Sequence, residues 1–253
     1  MPMIAQVTDC HLFGDISKTG YNDINPFDSL SQVLSDVASH QPDVLLVTGD
    51  ISGDDSQQSY VNFLTLVEQH GLSAKLKVIA GNHDNSANFE QYLAKYDLAT
   101  CGPLVINDWM VHGVDTRHEG TLGLLETHQL ATLKQNIERH LPYNHLIACH
   151  HHPLSVSGWM DKHAFVNKSA FVDLLTAHQQ VKGVVYGHIH GQKRDRLAHI
   201  AFAACPSSCW QFSQTDNFGT TKQPPGFNII RLGLSGELDI STLRINQEQF
   251  TTL

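Results

Sequence analysis

The sequence predicts an α/β protein with two β-sheets, the first largely parallel and the second mixed or antiparallel. Short apolar runs alternate with amphipathic stretches through the first half, which is typical of strand–helix–strand units. Later apolar runs come in pairs around tight turns, which is typical of β-hairpins. The 253 residues, 41% of them hydrophobic, can bury one substantial core, so we expect a single domain over residues 1–253.

The first half contains three short buried strands, predicted at residues 4–7, 44–47 and 76–79. A helix should begin after Asn25, a good N-cap, with Pro26 at the first helical position. Apolar residues at helical spacing mark the inner faces of this helix and the next: Phe27, Leu30, Val33, Leu34 and Val37, then Tyr60, Phe63, Leu64 and Val67. Because this order requires crossover connections, the strands should form a parallel sheet.

The second half adds two hairpins and two further strand–helix pairs. Residues 104–106 and 109–114 flank an Asn107-Asp108 turn, and residues 227–232 and 237–240 flank Ser235-Gly236. We assign both hairpins to the second sheet. Strands at residues 146–148 and 184–186 alternate with helices whose apolar faces are Leu130, Leu133 and Ile137, then Phe171, Leu174 and Leu175.

Composition and charge exclude several classes of function. The net charge of −9 and the sixteen scattered Lys and Arg residues argue against nucleic-acid binding, which needs clustered positive charge. No apolar run approaches the length that spans a membrane, and the first residues lack the basic and long apolar regions of a signal peptide. The five cysteines are odd in number and include no C-x-x-C pair, so we expect a cytoplasmic protein without a disulfide framework.

Five polar motifs follow the ends of strand-like runs: Asp9-Cys10-His11, Gly49-Asp50, Gly81-Asn82-His83-Asp84, His150-His151-His152-Pro153 and Gly187-His188-Ile189-His190. The carboxyl ends of parallel strands share one edge of a sheet, where α/β proteins usually bind ligands. Carboxylate, amide and imidazole groups suit Mn, Fe, Co or Zn. The ordered set therefore predicts a two-metal hydrolase site.

The chemistry of such a site needs one carboxylate that bridges two cations about 3.5 to 4 Å apart. Asp50 is the natural bridge, because Gly49 beside it allows close backbone approach. On extended backbone, an Asp-x-His or His-x-His pair points both side chains to the same side of a strand. We therefore expect Asp9 to act with His11, and His188 with His190. Cys10 between two ligands should face the other way as a packed, inert thiol.

At these residues the chain resembles the calcineurin-like metallophosphoesterases, whose pattern is D-x-H, G-D, G-N-H-[DE], a histidine and G-H-x-H. The resemblance spans residues 3–191 and implies a four-layer α/β/β/α sandwich with two mixed sheets. Within this family the chain is most similar to the bacterial class III 3′,5′-cyclic AMP phosphodiesterases. That similarity rests on residues 150–154, on the loop from residue 114 to Gly123, and on a tail running from Cys205-Pro206 through Asn217-Phe218 to Pro225-Gly226.

The resemblance implies a specific set of metal ligands. The first metal would be held by Asp9, His11, Asp50 and His190, and the second by Asp50, Asn82, His151 and His188. His151 is the choice within the triple histidine because family members with two histidines before proline use the first of that pair. The cofactors would be two divalent or mixed-valence ions, Fe or Mn in the first place, with Co or Zn as alternatives.

The implied reaction is hydrolysis of 3′,5′-cyclic AMP to 5′-AMP by attack of a metal-bound hydroxide. His83, held by Asp84 or by a backbone carbonyl, would protonate the departing 3′ oxygen, so His83 and Asp50 are the predicted catalytic residues. His11, Asn82, His83 and His190 are the predicted substrate-binding residues. The partner is a small cyclic nucleotide, and related enzymes suggest a possible homodimer.

Two alternatives remain open at this point. The metal motifs do not encode the leaving group, so the enzyme could instead hydrolyse glycerophosphodiesters, 2′,3′-cyclic nucleotides or general phosphodiesters. A non-catalytic interaction module is the more remote alternative, and it predicts lost ligands or a missing His83, neither of which is seen. Four aromatic residues in the later half could stack on a purine base: Trp159, Phe165, Trp210 and Phe218.

Overall fold

The computed structural model describes residues 1–245. The first half follows the predicted alternation, with β1 Met3–Val7, α1 Pro26–Ser39, β2 Val44–Thr48, α2 Gln57–Gln69 and β3 Leu76–Ile79. Helix α1 begins where expected, because the Asn25 side chain accepts hydrogen bonds from the backbone N–H groups of Phe27 and Asp28 at 2.9 and 3.2 Å.

The remaining elements complete two larger sheets and their covering helices. They are α3 Ala87–Leu93, α4 Leu98–Cys101, β4 Leu104–Ile106, β5 Trp109–Gly113, α5 Thr127–Arg139, β6 Asn144–Ala148, α6 Lys168–Thr176, β7 Val181–Tyr186, β8 Lys193–Leu197, β9 Ile200–Ala204, β10 Gln211–Phe212, β11 Thr220–Thr221, β12 Gly226–Leu232 and β13 Leu238–Arg244. Within residues 1–245, no helix combines the length and apolarity needed to cross a lipid bilayer.

The first sheet has the strand order β13-β12-β1-β2-β3. Strands β1, β2 and β3 are parallel, as predicted, but β12 pairs antiparallel with β1, in a register that aligns Ile230 with Ile4. The assignment of the 227–240 hairpin to the second sheet is therefore wrong. Strand β12 is buried on both faces, so it needs an interior position, and the free side of β1 provides one.

The second sheet has the order β4-β5-β6-β7-β9-β8 and is mixed, as predicted. Strands β5, β6, β7 and β9 run parallel, while β4 and β8 close the two sides as antiparallel edges. The charged sequence of β8, Lys-Arg-Asp-Arg-Leu, did not predict a strand, but charged side chains are common on edges because they discourage pairing with other chains.

Three apolar layers hold the fold together and confirm the α/β/β/α sandwich. One lies between the first sheet and α1 to α3, another between the second sheet and α5 and α6. The central layer joins the two sheets through residues such as Ile4, Val111 and Val185. Because the sheets pack face to face, the carboxyl end of β2 lies against the loop after β6, where His150 Nδ1 is 2.8 Å from the Thr48 carbonyl oxygen. This edge is where the polar motifs meet.

Candidate metal centre

Backbone and side-chain hydrogen bonds bring the candidate motifs together at the carboxyl ends of both sheets. The Asp9 N–H donates to the Gly49 carbonyl at 3.0 Å, which joins the loops after β1 and β2. The Asp9 carboxylate accepts from the backbone N–H of His188 at 3.0 Å, which adds the loop after β7. The Asp50 carboxylate accepts from the backbone N–H of His83 at 2.9 Å, which adds the loop after β3.

Asp9, His11 and His190 form one group of ligand atoms that lie within 4.8 Å of one another. The Nε2 atoms of His11 and His190 are 2.9 Å apart, and His190 Nε2 is 3.5 Å from Asp9 Oδ1. Two ring nitrogens that face each other beside a carboxylate surround a point suited to a cation.

Asp50, His150 and His188 form a second group with the same spread of ligand atoms, 4.8 Å. Asp50 Oδ2 is 3.3 Å from His150 Nε2 and 3.6 Å from His11 Nε2, so this oxygen lies between the two groups. A further group joins Asp50 with His11 and His83. The geometry therefore suits Asp50 as the residue that two metal ions would share.

Outer hydrogen bonds fix the orientation of three of the imidazole rings. His190 Nδ1 is 2.9 Å from the Trp210 carbonyl, His150 Nδ1 is 2.8 Å from the Thr48 carbonyl, and His188 Nε2 is 3.1 Å from the His163 carbonyl. A ring nitrogen that donates to a carbonyl leaves the other nitrogen as an acceptor, which is the form that binds a metal. The orientation of each ring thus assigns Nε2 of His150 and His190, and Nδ1 of His188, to the centre.

The triple histidine differs from the choice made on the sequence. His150, and not His151, lies in the group with Asp50 and His188. His151 Nδ1 instead lies 2.7 Å from Thr116 Oγ1, and the His151 ring packs against that of His188 with centroids 4.5 Å apart. Counting back from Pro153 could not predict this grouping, because the direction of each side chain depends on how the chain turns after β6.

The backbone of the ligand loops is left-handed at alternate residues. Positive φ angles occur at Asp9 (51°), His11 (47°), Asp50 (52°), His188 (69°) and His190 (44°). The expectation of extended Asp-x-His and His-x-His segments is therefore wrong, since β1 and β7 end before these residues. Left-handed conformations of residues other than glycine are strained, and they cluster at functional sites where surrounding contacts hold them.

The loop after β3 supplies Asn82 and His83 at the open side of the centre. The Asn82 side chain is half-buried, and its Oδ1 atom is buried without a hydrogen-bond partner among residues 1–245. His83 is exposed, and its ring meets that of His11 edge-on with centroids 4.8 Å apart. Asn82 thus offers a free acceptor, while His83 lies where an incoming ligand would meet it.

Asp84 has a different role from the expected support of His83. Its buried carboxylate accepts hydrogen bonds from the backbone N–H groups of Ile51, Ser52 and Gly81, all at 3.0 to 3.1 Å. The Tyr60 hydroxyl donates to it as well, at 3.0 Å. Asp84 therefore ties the loop that carries Asp50 to the loop that carries Asn82 and His83.

Burial controls the protonation of these groups. It raises the pKa of Asp9 to about 7, lowers the pKa of His190 to about 4, and holds the pKa of His188 well below its ordinary value. Burial also opposes charge on His150 and Asp50, but their contact raises the pKa of His150 to about 9 and holds that of Asp50 well below its usual range. Neutral His188 and His190 are ready to bind a metal, whereas His150 must first release its proton.

Burial also raises the pKa of the Cys10 thiol. Cys10 is fully buried in the apolar core beneath the first sheet and belongs to none of the ligand groups. A thiol in such surroundings stays protonated and is a poor metal ligand.

A cavity of about 400 Å³ opens above the ligand groups. Its lining includes five candidate ligands and His83, and the rest is largely aromatic: Phe13, Tyr21, Trp159, Trp210, Phe212 and Phe218. The five ligands are His11, Asp50, Asn82, His188 and His190. Phe165, one of the aromatic residues considered on the sequence, is instead buried and packs on Phe171. The sequence did not single out Tyr21 or Phe212, because neither belongs to a motif or a periodic segment.

The residues fit a divalent metal centre. Asp50 lies between two groups of carboxylate and imidazole donors. The buried Asn82 Oδ1 has no partner among the described residues, and burial keeps His188 and His190 neutral. These donors suit the borderline ions Mn, Fe, Co and Zn, and they offer no geometry that selects one of them.

Comparisons with known proteins point to the same class. The calcineurin-like phosphoesterase family matches residues 2–192. The Pseudomonas aeruginosa protein named 3′,5′-cyclic adenosine monophosphate phosphodiesterase CpdA is 31% identical over 253 residues, covering 98% of this chain and 92% of the relative. A protein of Colwellia psychrerythraea named probable cyclic nucleotide phosphodiesterase is 27% identical over 251 residues, covering 95% and 94% of the two chains.

Solved structures agree on the fold. A dimetal phosphatase from Danio rerio superposes with a TM-score of 0.69 at 13% identity, covering 97% of this chain and 99% of that one. A purple acid phosphatase from yellow lupin superposes with a TM-score of 0.61 at 11% identity, covering 100% and 55%. The predicted fold and the prediction of a metal-dependent phosphodiesterase are confirmed. The match to the calcineurin-like phosphoesterase family covers well over half of the chain, so the chain belongs to that family.

Proposed function

We propose that the protein hydrolyses the phosphodiester of 3′,5′-cyclic AMP to give 5′-AMP. The observation that carries the proposal is that Asp50 lies between the group of Asp9, His11 and His190 and the group that it forms with His150 and His188, beside a cavity of about 400 Å³, which is a usual size for a small-molecule site. The choice of substrate is supported by the near-full-length similarity to relatives named for cyclic AMP.

The proposed ligands of the first metal are Asp9, His11, Asp50 and His190, and those of the second are Asp50, Asn82, His150 and His188. His150 replaces His151 in this set because its Nε2 lies 3.3 Å from Asp50 Oδ2 and it belongs to the group with Asp50 and His188, whereas His151 belongs to none of the groups. Bound metal ions would supply Lewis-acid chemistry, lowering the pKa of water and neutralising charge on the phosphate.

The residues that would bind the phosphate are His11, Asn82, His83 and His190, all of which line the cavity. Asn82 and His83 come from one loop, which the carboxylates of Asp50 and Asp84 hold through backbone N–H groups. This anchoring would keep the phosphate at a fixed distance from the ligand groups, so that little motion is needed as the reaction proceeds.

His83 is the proposed general acid. Its ring is exposed, lines the cavity and lies edge-on to His11, so a leaving group of a phosphodiester bound in the cavity would meet it. The departing ribose 3′ oxygen is a poor leaving group and gains most from a proton supplied in the transition state. His83 would donate that proton and recover it from solvent.

A cytoplasmic location is part of the proposal, supported by five free cysteines, which suit a reducing compartment. A homodimer stays a prediction, to be tested by analytical ultracentrifugation of the metal-loaded protein. Two distinct species at half and full mass across a dilution series would establish a reversible dimer.

The experiment that tests the proposed function compares three substrates. Protein reconstituted with Mn or Fe is given 3′,5′-cyclic AMP, 2′,3′-cyclic AMP or bis(p-nitrophenyl) phosphate, and kcat/KM is measured for each. We expect the 3′,5′ diester to be cleaved with the highest kcat/KM and to yield 5′-AMP. Turnover of the aryl diester or the 2′,3′ isomer without cleavage of the 3′,5′ isomer would replace the proposal with a different phosphodiesterase.

A further inference from the structure

Two exposed aromatic rings line the cavity without belonging to the groups of candidate metal ligands. Tyr21 is 49% exposed and Phe218 is 54% exposed, and within residues 1–245 they are the only aromatic side chains left open to this extent. Both line the same cavity, with ring centroids 5.5 Å apart. Exposed aromatic surface that gathers at a cavity marks a binding site more often than chance packing does.

Hydrogen bonds hold the segments that carry these rings. Asn22, next to Tyr21, donates to the Thr221 carbonyl at 3.1 Å and accepts from the Thr220 hydroxyl at 2.9 Å. Trp159 Nε1 donates to the Ser213 carbonyl at 3.0 Å, and the Trp159 ring supports Phe218 with centroids 5.0 Å apart. The two rings are thus fixed before any ligand arrives, which lowers the entropy cost of binding.

The rings leave room for a flat ligand. The three aromatic neighbours of Phe218 meet it at steep angles: 56° for Tyr21, 63° for Phe212 and 79° for Trp159. No described aromatic ring lies parallel to Phe218, so none takes the place of a stacked partner. A flat aromatic ligand can stack in that place.

The spacing from the metal-ligating residues suits a nucleotide. The ring of His190 stacks on Phe212 at 4.2 Å, and Phe212 in turn contacts Phe218 at 5.7 Å. The Phe212 ring therefore separates His190, a candidate metal ligand, from Phe218. In a nucleotide, one sugar ring separates the phosphate from the base in the same way.

The small number of charged side chains in the cavity lining favours an uncharged group as the ligand of the two exposed rings. Asp50 is the one carboxylate among the residues that line the cavity, and the lining includes no Lys or Arg. A quaternary ammonium group also binds aromatic rings, but a carboxylate in the lining would favour it, and Asp50, the one carboxylate there, belongs to the candidate metal ligands. A neutral nucleobase fits better.

We infer that Tyr21 and Phe218 form a base-stacking subsite that determines specificity for nucleotides over other phosphodiesters. This inference rests on the proposed function, since it assumes that the phosphate binds at the ligand groups. Phe218 and Tyr21 would raise affinity by stacking on the base, without contacting the reacting atoms.

The test is direct binding to metal-loaded protein, measured by isothermal titration calorimetry with 5′-AMP, ribose 5-phosphate and glycerophosphocholine. Phe218→Ala should weaken 5′-AMP binding about tenfold while leaving the affinity for ribose 5-phosphate unchanged. Phe218→Tyr should retain the wild-type affinity, and Tyr21→Ala should weaken 5′-AMP in the same selective way. Leu234→Ala, which removes a 77% exposed apolar side chain outside the cavity, is the matched control.

The inference is overturned if Phe218→Ala changes the affinities for 5′-AMP and ribose 5-phosphate equally, or changes neither. Selective loss of glycerophosphocholine binding would also overturn it and would identify a cation cage instead. Failure of the proposed function has a separate signature: wild-type protein would not cleave 3′,5′-cyclic AMP, whatever the calorimetry shows for Phe218.

Discussion

Asp50 holds the two ligand groups in one arrangement. One of its carboxylate oxygens accepts the His83 N–H, and the other lies between His11 and His150. Its own backbone is left-handed, with φ of 52°, and a Cβ at Gly81 would collide with Asp50 Oδ1, so no larger residue fits at position 81. These contacts fix the position of the Asp50 carboxylate between the two ligand groups.

Replacing Asp50 by alanine should therefore remove the shared ligand. We expect kcat to fall on the order of a thousandfold or more, and the metal content of the purified protein to drop, because charge stabilisation by the two ions is lost. Enzyme assays with elemental analysis by mass spectrometry measure both. The exposed Asp239→Asn variant should behave as wild type, and two metals per chain with normal turnover in Asp50→Ala would disprove the bridge.

His83→Ala should separate proton donation from metal binding. We expect the variant to keep its metals and to lose about 10²- to 10⁴-fold in kcat with 3′,5′-cyclic AMP, whose alkoxide leaving group needs a proton. The loss should be much smaller with bis(p-nitrophenyl) phosphate, because nitrophenolate leaves without one. Equal losses on both substrates would rule out the general acid, and His128→Ala on the exposed face of α5 is the control.

The triple histidine offers a paired comparison. His150→Ala should lower the metal content from about two ions per chain toward one, because it removes a ligand beside Asp50. His151→Ala should lower it less, since that ring belongs to none of the groups of ligand atoms. Metal content is measured on protein whose circular dichroism spectrum is native, and the reverse order would restore His151 as the ligand.

At the scale of the elements, neighbouring strands β5 and β6 bury a histidine pair away from the metal centre. His112 Nε2 lies 2.8 Å from His145 Nδ1, and both side chains are almost fully buried. Burial lowers the pKa of His112 to about 3 and that of His145 to about 4, from an ordinary value of 6.5. Both rings are therefore neutral in the folded protein at neutral pH.

This pair should make the fold sensitive to acid. Between pH 4 and 6.5 the unfolded chain binds protons at these positions while the folded chain does not, so the free energy of unfolding rises with pH in this window. Each proton that the unfolded chain binds and the folded chain does not changes the free energy of unfolding by about 1.4 kcal/mol per pH unit. Urea unfolding at several pH values should show full stability above pH 6.5 and a progressive loss as the pH falls toward 4.

The double variant His112→Leu/His145→Leu supplies the comparison. Replacing both partners by apolar side chains of similar size removes the two low-pKa groups without leaving a buried polar atom unpaired. Its stability should fall less steeply between pH 6.5 and 4 than that of the wild type. The exposed His128→Leu variant should keep the wild-type slope, and identical slopes in all three proteins would show that the pair contributes nothing.

At the scale of the whole molecule, the ligand groups link the two sheets. Asp9 follows a strand of the first sheet and His188 and His190 follow a strand of the second, and Asp9 and Asp50 are buried carboxylates. Bound cations would neutralise them and join the two halves of the sandwich. Metal binding should therefore be coupled to global stability.

Removing the metals should lower the unfolding temperature. At a metal concentration 100-fold above Kd, binding adds about 2.7 kcal/mol, which corresponds to a shift of roughly 5 °C or more in Tm for a chain of this size. Differential scanning calorimetry before and after treatment with a chelator measures the shift. Chelator should have little effect on Asp50→Ala, and an unchanged Tm in the wild type would show that the sheets are held together without metal.

Local patterns in the sequence determined much of this protein. Helix α1 could be predicted because Asn25, Pro26 and the apolar spacing all act within a few residues, and strands β1, β2 and β3 because each is a short buried run beside a turn. The gathering of aspartate and histidine side chains at one edge could be predicted because these residues have no packing reason to follow such runs.

Only the tertiary structure decided which groups face each other. Strand β12 pairs with β1 across more than two hundred residues, and this pairing depends on the free side of β1, which no local pattern records. The grouping of His150 with Asp50, the left-handed backbone of the ligand loops, and the open ring of Phe218 beside Tyr21 likewise follow from contacts between distant segments. The sequence thus specified the chemistry of the site, whereas the packing of two sheets specified its geometry, because side-chain direction is set by the fold around it.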